Sequence, residues 1–315
     1  MKTAFFASDP IALGAIKMLH ASEDFPLVCV VSNPDKPKGR GNKLTPNEVS
    51  AWAIENNVEL MRPEKIDDST VSRLRELGVE LIVVMAYGHM LKDNILNYGE
   101  YPCLNLHGSI LPKFRGASPI ESAIALGEKE TGVSLMKIVK KMDAGAVCDV
   151  EKIVIDDSDT SVSLRQKFCE SSAILLERNL NSIKNKTANF VEQDDAQATY
   201  TRKFDKSDAV LDFTSDVETI CNRVRAFGFA TFERNGDVIK VKDANYKIFD
   251  NTKECGTVLE ASANGLCVAC ANGAVVFSSL QKPCAKMMSA RDFFAGYKIE
   301  CGEILKSVAF KNILK

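Results

Sequence analysis

Two rhythms of apolar positions run through the first half of the chain. Short continuous apolar runs at residues 3–7, 27–32, 80–86 and 103–106 predict buried strands. Between them, apolar residues recur at helical spacing over 10–20, 48–57 and 69–77. Asp9 before Pro10 marks the start of the first helix, and Gly78 the end of the third. Strands alternating with helices predict an α/β fold with a doubly wound, mostly parallel, Rossmann-like sheet. The turn after the first strand, Ala7-Ser8-Asp9-Pro10, lacks the glycines that a dinucleotide site needs there.

After about residue 130 the rhythm changes. Residues 131–139 and 146–155 read as a strand pair and 160–184 as a long helix, and the polar stretch 185–206 reads as a linker. Beyond it, a helix at 217–227 precedes strand-like pieces at 229–233, 237–242, 246–249, 256–261, 265–270 and 273–280, separated by turn signals such as Asn235-Gly236. Short strands at this spacing predict a small β-barrel, OB-like in type. The expected organisation is an α/β catalytic domain over 1–188, a linker over 189–206 and a barrel domain over 207–315.

Composition changes this picture little: 315 residues, 45% hydrophobic and 26% charged, describe an ordinary globular protein. A net charge of -2 argues against a nucleic-acid partner. Its distribution argues the other way, with about -5 over residues 1–200 and +3 over 201–315. Ten cysteines lie scattered in apolar runs, as free thiols do in a reducing compartment. Cys267 and Cys270 form a CxxC, but on a strand they face opposite ways, and no second pair accompanies them. No metal site is expected. No apolar run nears the roughly 20 residues of a membrane span, and the start of the chain shows no leader, so the expected location is cytoplasmic.

Three segments carry candidate chemistry. In Leu104-Asn105-Leu106-His107-Gly108-Ser109, Asn105 and His107 are two apart on a strand and project to one face, at the strand end where open α/β sheets bind ligands. Met142-Asp143-Ala144-Gly145 presents a carboxylate on a turn. Val84-Met85-Ala86-Tyr87-Gly88-His89-Met90 is a buried strand opening into a loop. An amide donor, an imidazole and a carboxylate suit acyl transfer to an amine: the amide stabilises the oxyanion, and the other two manage the amine proton. Asp143 is also expected to hold His107 in one tautomer. A strand-end histidine taken alone is more often just a hydrogen-bonded turn residue, and spacing does not name the reaction.

The run Asn105-Leu-His107-Gly-Ser-Ile-Leu-Pro, with Arg115-Gly116 after it and Asp143 further on, resembles the signature of the 10-formyltetrahydrofolate-dependent formyltransferases. The resemblance implies Asn105, His107 and Asp143 as the catalytic trio and 10-formyltetrahydrofolate as formyl donor. It implies folate contacts at Met85, Ala86, Tyr87, Gly88, Met90, Ser109, Leu111 and Pro112. Residues 33–44 are similar to the basic insertion loop of the members that formylate methionyl initiator tRNA. This loop places four cations, Lys36, Lys38, Arg40 and Lys43, in eight residues, with glycines and prolines between them, as a flexible finger for phosphates. Residues 256–260 and 286–292 resemble the barrel domain of the same members. The implied partners are methionyl initiator tRNA and a folate, with no membrane, and the chain is expected to act as a monomer. Members with His-Gly-Ser also act on sugar nucleotides, so an amino-sugar nucleotide is the rival acceptor; a folate- or RNA-binding module without catalysis is a further alternative. The chain departs from the family pattern at Ala7, at Ala146 and in Arg225-Ala-Phe-Gly-Phe-Ala, none of them in the trio.

Overall fold

The computed structural model describes residues 1–38 and 41–315. The chain runs β1 (Thr3–Ala7), α1 (Leu13–Ala21), β2 (Leu27–Val31), β3 (Lys36–Lys38), β4 (Lys43–Thr45), α2 (Glu48–Glu55), β5 (Glu59–Met61), α3 (Asp68–Glu76), β6 (Leu81–Met85), α4 (Asp93–Leu96) and β7 (Leu104–His107). It continues through β8 (Arg115–Gly116), α5 (Pro119–Ala125), β9 (Glu130–Lys137), β10 (Val147–Val154), α6 (Ser161–Lys184) and β11 (Tyr200–Thr201). Last come α7 (Val217–Phe227), β12 (Ala230–Arg234), β13 (Asp237–Ile248), β14 (Val258–Ser262), β15 (Gly265–Cys270), β16 (Gly273–Gln281), β17 (Met288–Ser289) and α8 (Ala290–Phe294). Two compact units result: residues 1–116, 130–154 and 165–200 form one, and 117–129, 155–164 and 201–315 the other.

The first unit is built on a seven-stranded sheet in the order β10-β9-β7-β6-β1-β2-β5. The five strands from β5 to β7 are parallel, and β9 and β10 add an antiparallel edge. Every residue of β1 and β6 is buried, as the uninterrupted apolar runs require of strands covered on both faces. The chain leaves β1 for β2 on one side and returns with β6 on the other, so strand order reverses there. The C-terminal ends of β1, β6 and β7 border the resulting crevice, the usual ligand position in such sheets. The Asp9 side chain accepts from Ile11 N (3.0 Å), so the first helix opens as a short 3-10 turn at Pro10 before α1.

The second unit holds a six-stranded antiparallel sheet, β12-β13-β16-β15-β14 with β17 on β16. Its core gathers Phe213, Ile220, Phe232, Ile239, Phe277 and Phe293, with α7 supplying an apolar face. Asn235 and Gly236 both have positive φ, the backbone that an Asn-Gly hairpin turn demands. The strands expected at 237–242 and 246–249 are one 12-residue strand, β13. Asp243 and Asn245 read as a turn, and Asp243 does have positive φ, yet the pairing of β13 with β16 keeps one register on either side of it, from Lys240 to Ile248. Among the described residues no helix is long and apolar enough to cross a membrane.

The stretch expected as a linker is tied down in part. Val147 and Val191 exchange two backbone hydrogen bonds of 2.9 Å, and Thr199 accepts from Phe114 N through its hydroxyl (2.8 Å) and from Arg115 N through its carbonyl (2.9 Å). Its polar composition reads as loop, but its backbone groups find partners on the β10 edge and in residues 114–115.

Candidate active site

Strand β7 delivers Asn105 and His107 to the crevice edge. His107 is buried, with Nε2 3.0 Å from the Phe114 carbonyl oxygen. A carbonyl only accepts, so Nε2 carries the hydrogen and Nδ1 is the nitrogen left for chemistry. Nδ1 lies 3.8 Å from Asp143 Oδ1, too far for a hydrogen bond. The expectation that Asp143 fixes the tautomer therefore gives way: the Phe114 carbonyl fixes it. The spacing still leaves room for one amine or water nitrogen or oxygen within reach of both groups.

Asp143 sits on the β9–β10 turn with φ 49°, a left-handed backbone that Asp tolerates better than most residues. Its Oδ2 accepts from Gly116 N (2.8 Å). Two residues on, a Cβ at Gly145 would lie 1.9 Å from the Lys137 carbonyl oxygen, so the Asp-Ala-Gly order is fixed by a close backbone approach. The Gln193 Nε2 donates to both Asp143 O (2.9 Å) and Gly145 O (2.7 Å). The Gln193 Oε1 accepts in turn from Arg115 Nε (3.0 Å) and Nη2 (2.8 Å), and Arg115 Nη1 donates to Asp195 Oδ1 (2.8 Å) and Tyr200 Oη (3.0 Å). Arg115 is fully buried. Hydrogen bonds from Lys141 and Arg115 hold the Asp195 carboxyl below the usual carboxylate range.

Asn105 is half-buried and pairs in register with Val84 of β6 and Met136 of β9. Among the described residues its side-chain amide has no hydrogen-bond partner, so both its N–H groups are available to a ligand.

The loop after β6 is anchored from beneath. The Tyr87 ring is buried edge-on to Phe6, with centroids 5.5 Å apart, and burial pushes its phenol up to about 12. Its carbonyl accepts from Asn33 Nδ2 (3.1 Å), and the Ala86 carbonyl from Ser8 N (3.3 Å). Met85 is buried as well, whereas Met90 is 85% exposed and Gly88 faces open space. Ser109 and Leu111 are buried; the Ser109 hydroxyl donates to Lys113 O (2.6 Å), its carbonyl accepts from Ser134, and Pro112 O accepts from Thr199 N. Of the residues expected to meet a folate, Tyr87 and Ser109 thus have their side chains committed within the protein.

The basic segment forms a two-stranded hairpin, with Lys36 opposite Thr45 and Lys38 opposite Lys43, based on an Asp35–Arg62 ion pair of 2.7 Å. Lys36 and Lys43 are exposed. Arg40 lies outside the described residues, as does the Lys38 side chain. Cys270 is buried, with its thiol pushed up to about 12 by burial, and among the described residues no group of three metal-ligating side chains forms.

Sequence reasoning missed the Phe114 carbonyl, the Arg115 anchor and Gln193. Arg115 stood inside the motif, so its presence was legible and its role was not. Gln193 carries no sequence signal, lying in a polar stretch some fifty residues from the turn it grips.

Two family models divide the chain between them: "Formyl transferase" over residues 1–180 and "Formyl transferase, C-terminal domain" over 203–298. A methionyl-tRNA formyltransferase of Sulfurihydrogenibium sp. is 33% identical over 311 residues, 96% of this chain and 99% of that protein. One of Acetivibrio thermocellus is 34% identical over 310 residues, 97% and 99% of the two chains. Among solved structures, the N-formyltransferase of Helicobacter canadensis, in complex with folinic acid and dTDP-3-aminofucose, superposes with a TM-score of 0.66 at 18% identity, over 90% of this chain and 99% of that one. The two models together match most of the chain, the relatives a third identical extend over nearly all of it, and the chain belongs to the formyl transferase family.

Proposed function

We propose that this chain transfers the formyl group of 10-formyltetrahydrofolate to the α-amino group of methionyl initiator tRNA. The observation that carries the chemistry is the free Asn105 amide beside a His107 whose Nδ1 and the Asp143 carboxylate lie 3.8 Å apart. The acceptor rests on relatives a third identical over nearly the whole chain, and the donor on the folate named with the Helicobacter canadensis neighbour. In this reading residues 1–188 perform the transfer, the folate lies along residues 85–90 and 109–112, and residues 207–315 hold the tRNA body. Lys36, Lys38, Arg40 and Lys43 meet phosphates near the acceptor end.

The amine attacks the formyl carbon, forming the new C–N bond and a tetrahedral oxyanion. The Asn105 amide and a protonated His107, through Nδ1–H, donate to that oxygen; one such donor is typically worth on the order of 10²–10³ in rate. Asp143 accepts the proton that the attacking amine loses, directly or through a water. Collapse reforms the carbonyl, breaks the bond to the folate nitrogen and returns a proton to that nitrogen.

The test is formylation of charged initiator tRNA by the purified protein with 10-formyltetrahydrofolate. Formylmethionyl-tRNA is the expected product. Transfer to dTDP-3-aminofucose with none to tRNA would overturn the proposal in favour of the sugar-nucleotide reading.

A further inference from the structure

We propose that Gln193 is a positioning residue for Asp143, reaching the active site from a segment remote in sequence; this rests on the reading of Asp143 as a catalytic group. A left-handed backbone at a residue other than glycine persists only where its surroundings hold it, and the 143–145 turn is held on both sides by one side chain. The orientation of the Gln193 amide is settled by chemistry. The guanidinium of Arg115 can only donate and the carbonyls of Asp143 and Gly145 can only accept, so Oε1 must face the arginine and Nε2 the turn.

The two grips on Asp143 come from adjacent residues of β8. Gly116 N holds the carboxylate at Oδ2, leaving Oδ1 toward His107 Nδ1, while Arg115 holds Gln193, which holds the backbone. Carboxylate and backbone are thereby fixed to the same short strand. A backbone displacement at Asp143 would move Oδ1 away from the space it shares with His107. Misplacement by about 1 Å commonly costs on the order of 10²-fold in rate.

The isosteric variant Gln193→Glu separates this role from simple packing. It keeps acceptors for Arg115 and sets a carboxylate oxygen against two carbonyl oxygens where two donated bonds were. We expect kcat for formyl transfer to fall roughly 10- to 100-fold, with KM for donor and acceptor within about 3-fold of wild type. Added to Asp143→Asn, it should cost nothing further, because a residue acting only through Asp143 has nothing left to act on. Gln193→Met, which removes both arms without introducing charge, runs the same cycle should the glutamate variant misfold. Wild-type turnover in either Gln193 variant, or a loss that multiplies onto that of Asp143→Asn, would overturn the inference while leaving the proposed activity standing. Full activity in Asp143→Asn would instead remove Asp143 from the mechanism, and the inference with it.

Discussion

Arg115→Met tests the foundation of the site. The guanidinium is fully buried and donates to Gln193, Asp195 and Tyr200. Hydrogen bonds to a charged group are worth about 1.5–3 kcal/mol each, but these do not simply add. The Asp195 side chain is 59% exposed and also pairs with Lys141, so it rehydrates when the guanidinium goes and contributes little. Gln193 Oε1 loses both of its donors at once in a partly buried place, which costs about 1–3 kcal/mol. Tyr200 adds one more lost bond, and relief of the buried charge offsets part of the total. The net expectation is a loss of about 2–4 kcal/mol. Trp52 is the only tryptophan and lies in the first unit, so its fluorescence during urea unfolding reports that unit alone. Turnover should fall as well, because Gln193 is released from its anchor. A change below about 1 kcal/mol together with wild-type turnover would refute the reasoning, since it would mean that neither the buried fork nor the turn it supports matters.

Other outcomes follow from the same geometry. Asn105→Ala should cost on the order of 10²–10³ in kcat without altering the unfolding midpoint, because no protein group relies on its amide; a shifted midpoint would point to a structural role instead. Gly145→Ala forces a Cβ against the Lys137 backbone and should cost both stability and activity, by about 2–4 kcal/mol in urea, and a variant as stable as wild type would contradict the close approach. Burial pushes the thiols of Cys29, Cys103, Cys221 and Cys270 up to about 12, so iodoacetamide at pH 8 should label the exposed Cys284 and Cys301 first, as read by peptide mass spectrometry. In the second unit, hydrogen bonds from Arg202 hold the buried Asp208 carboxyl below its ordinary value. That pair stabilises above about pH 4 and its contribution is lost as pH falls through the depressed value, so Asp208→Asn should be less stable than wild type at pH 7 and should approach it in acid. A stability gap unchanged down to pH 2 would argue against the linkage.

The hydrophobic rhythm by itself determined four of the five parallel strands and the unit of antiparallel strands; β5, three residues with none of them buried, left no apolar run to read. Burial on both faces writes continuous apolar runs, and turn chemistry writes Asn-Gly, so both are local signals. The motif around Asn105 and His107 and the Asp-Ala-Gly turn were legible too, the latter because only glycine fits against Lys137. Length of strand was not: Asp243 and Asn245 say turn, and only pairing with β16 on either side says strand. Tertiary structure alone decided how the site is held. The tautomer of His107 depends on a carbonyl seven residues away, and the pose of Asp143 on a glutamine 50 residues away, contacts that no local pattern encodes. A hydrogen bond is specified by where two groups meet, and for groups distant in sequence that meeting place exists only once the chain has folded.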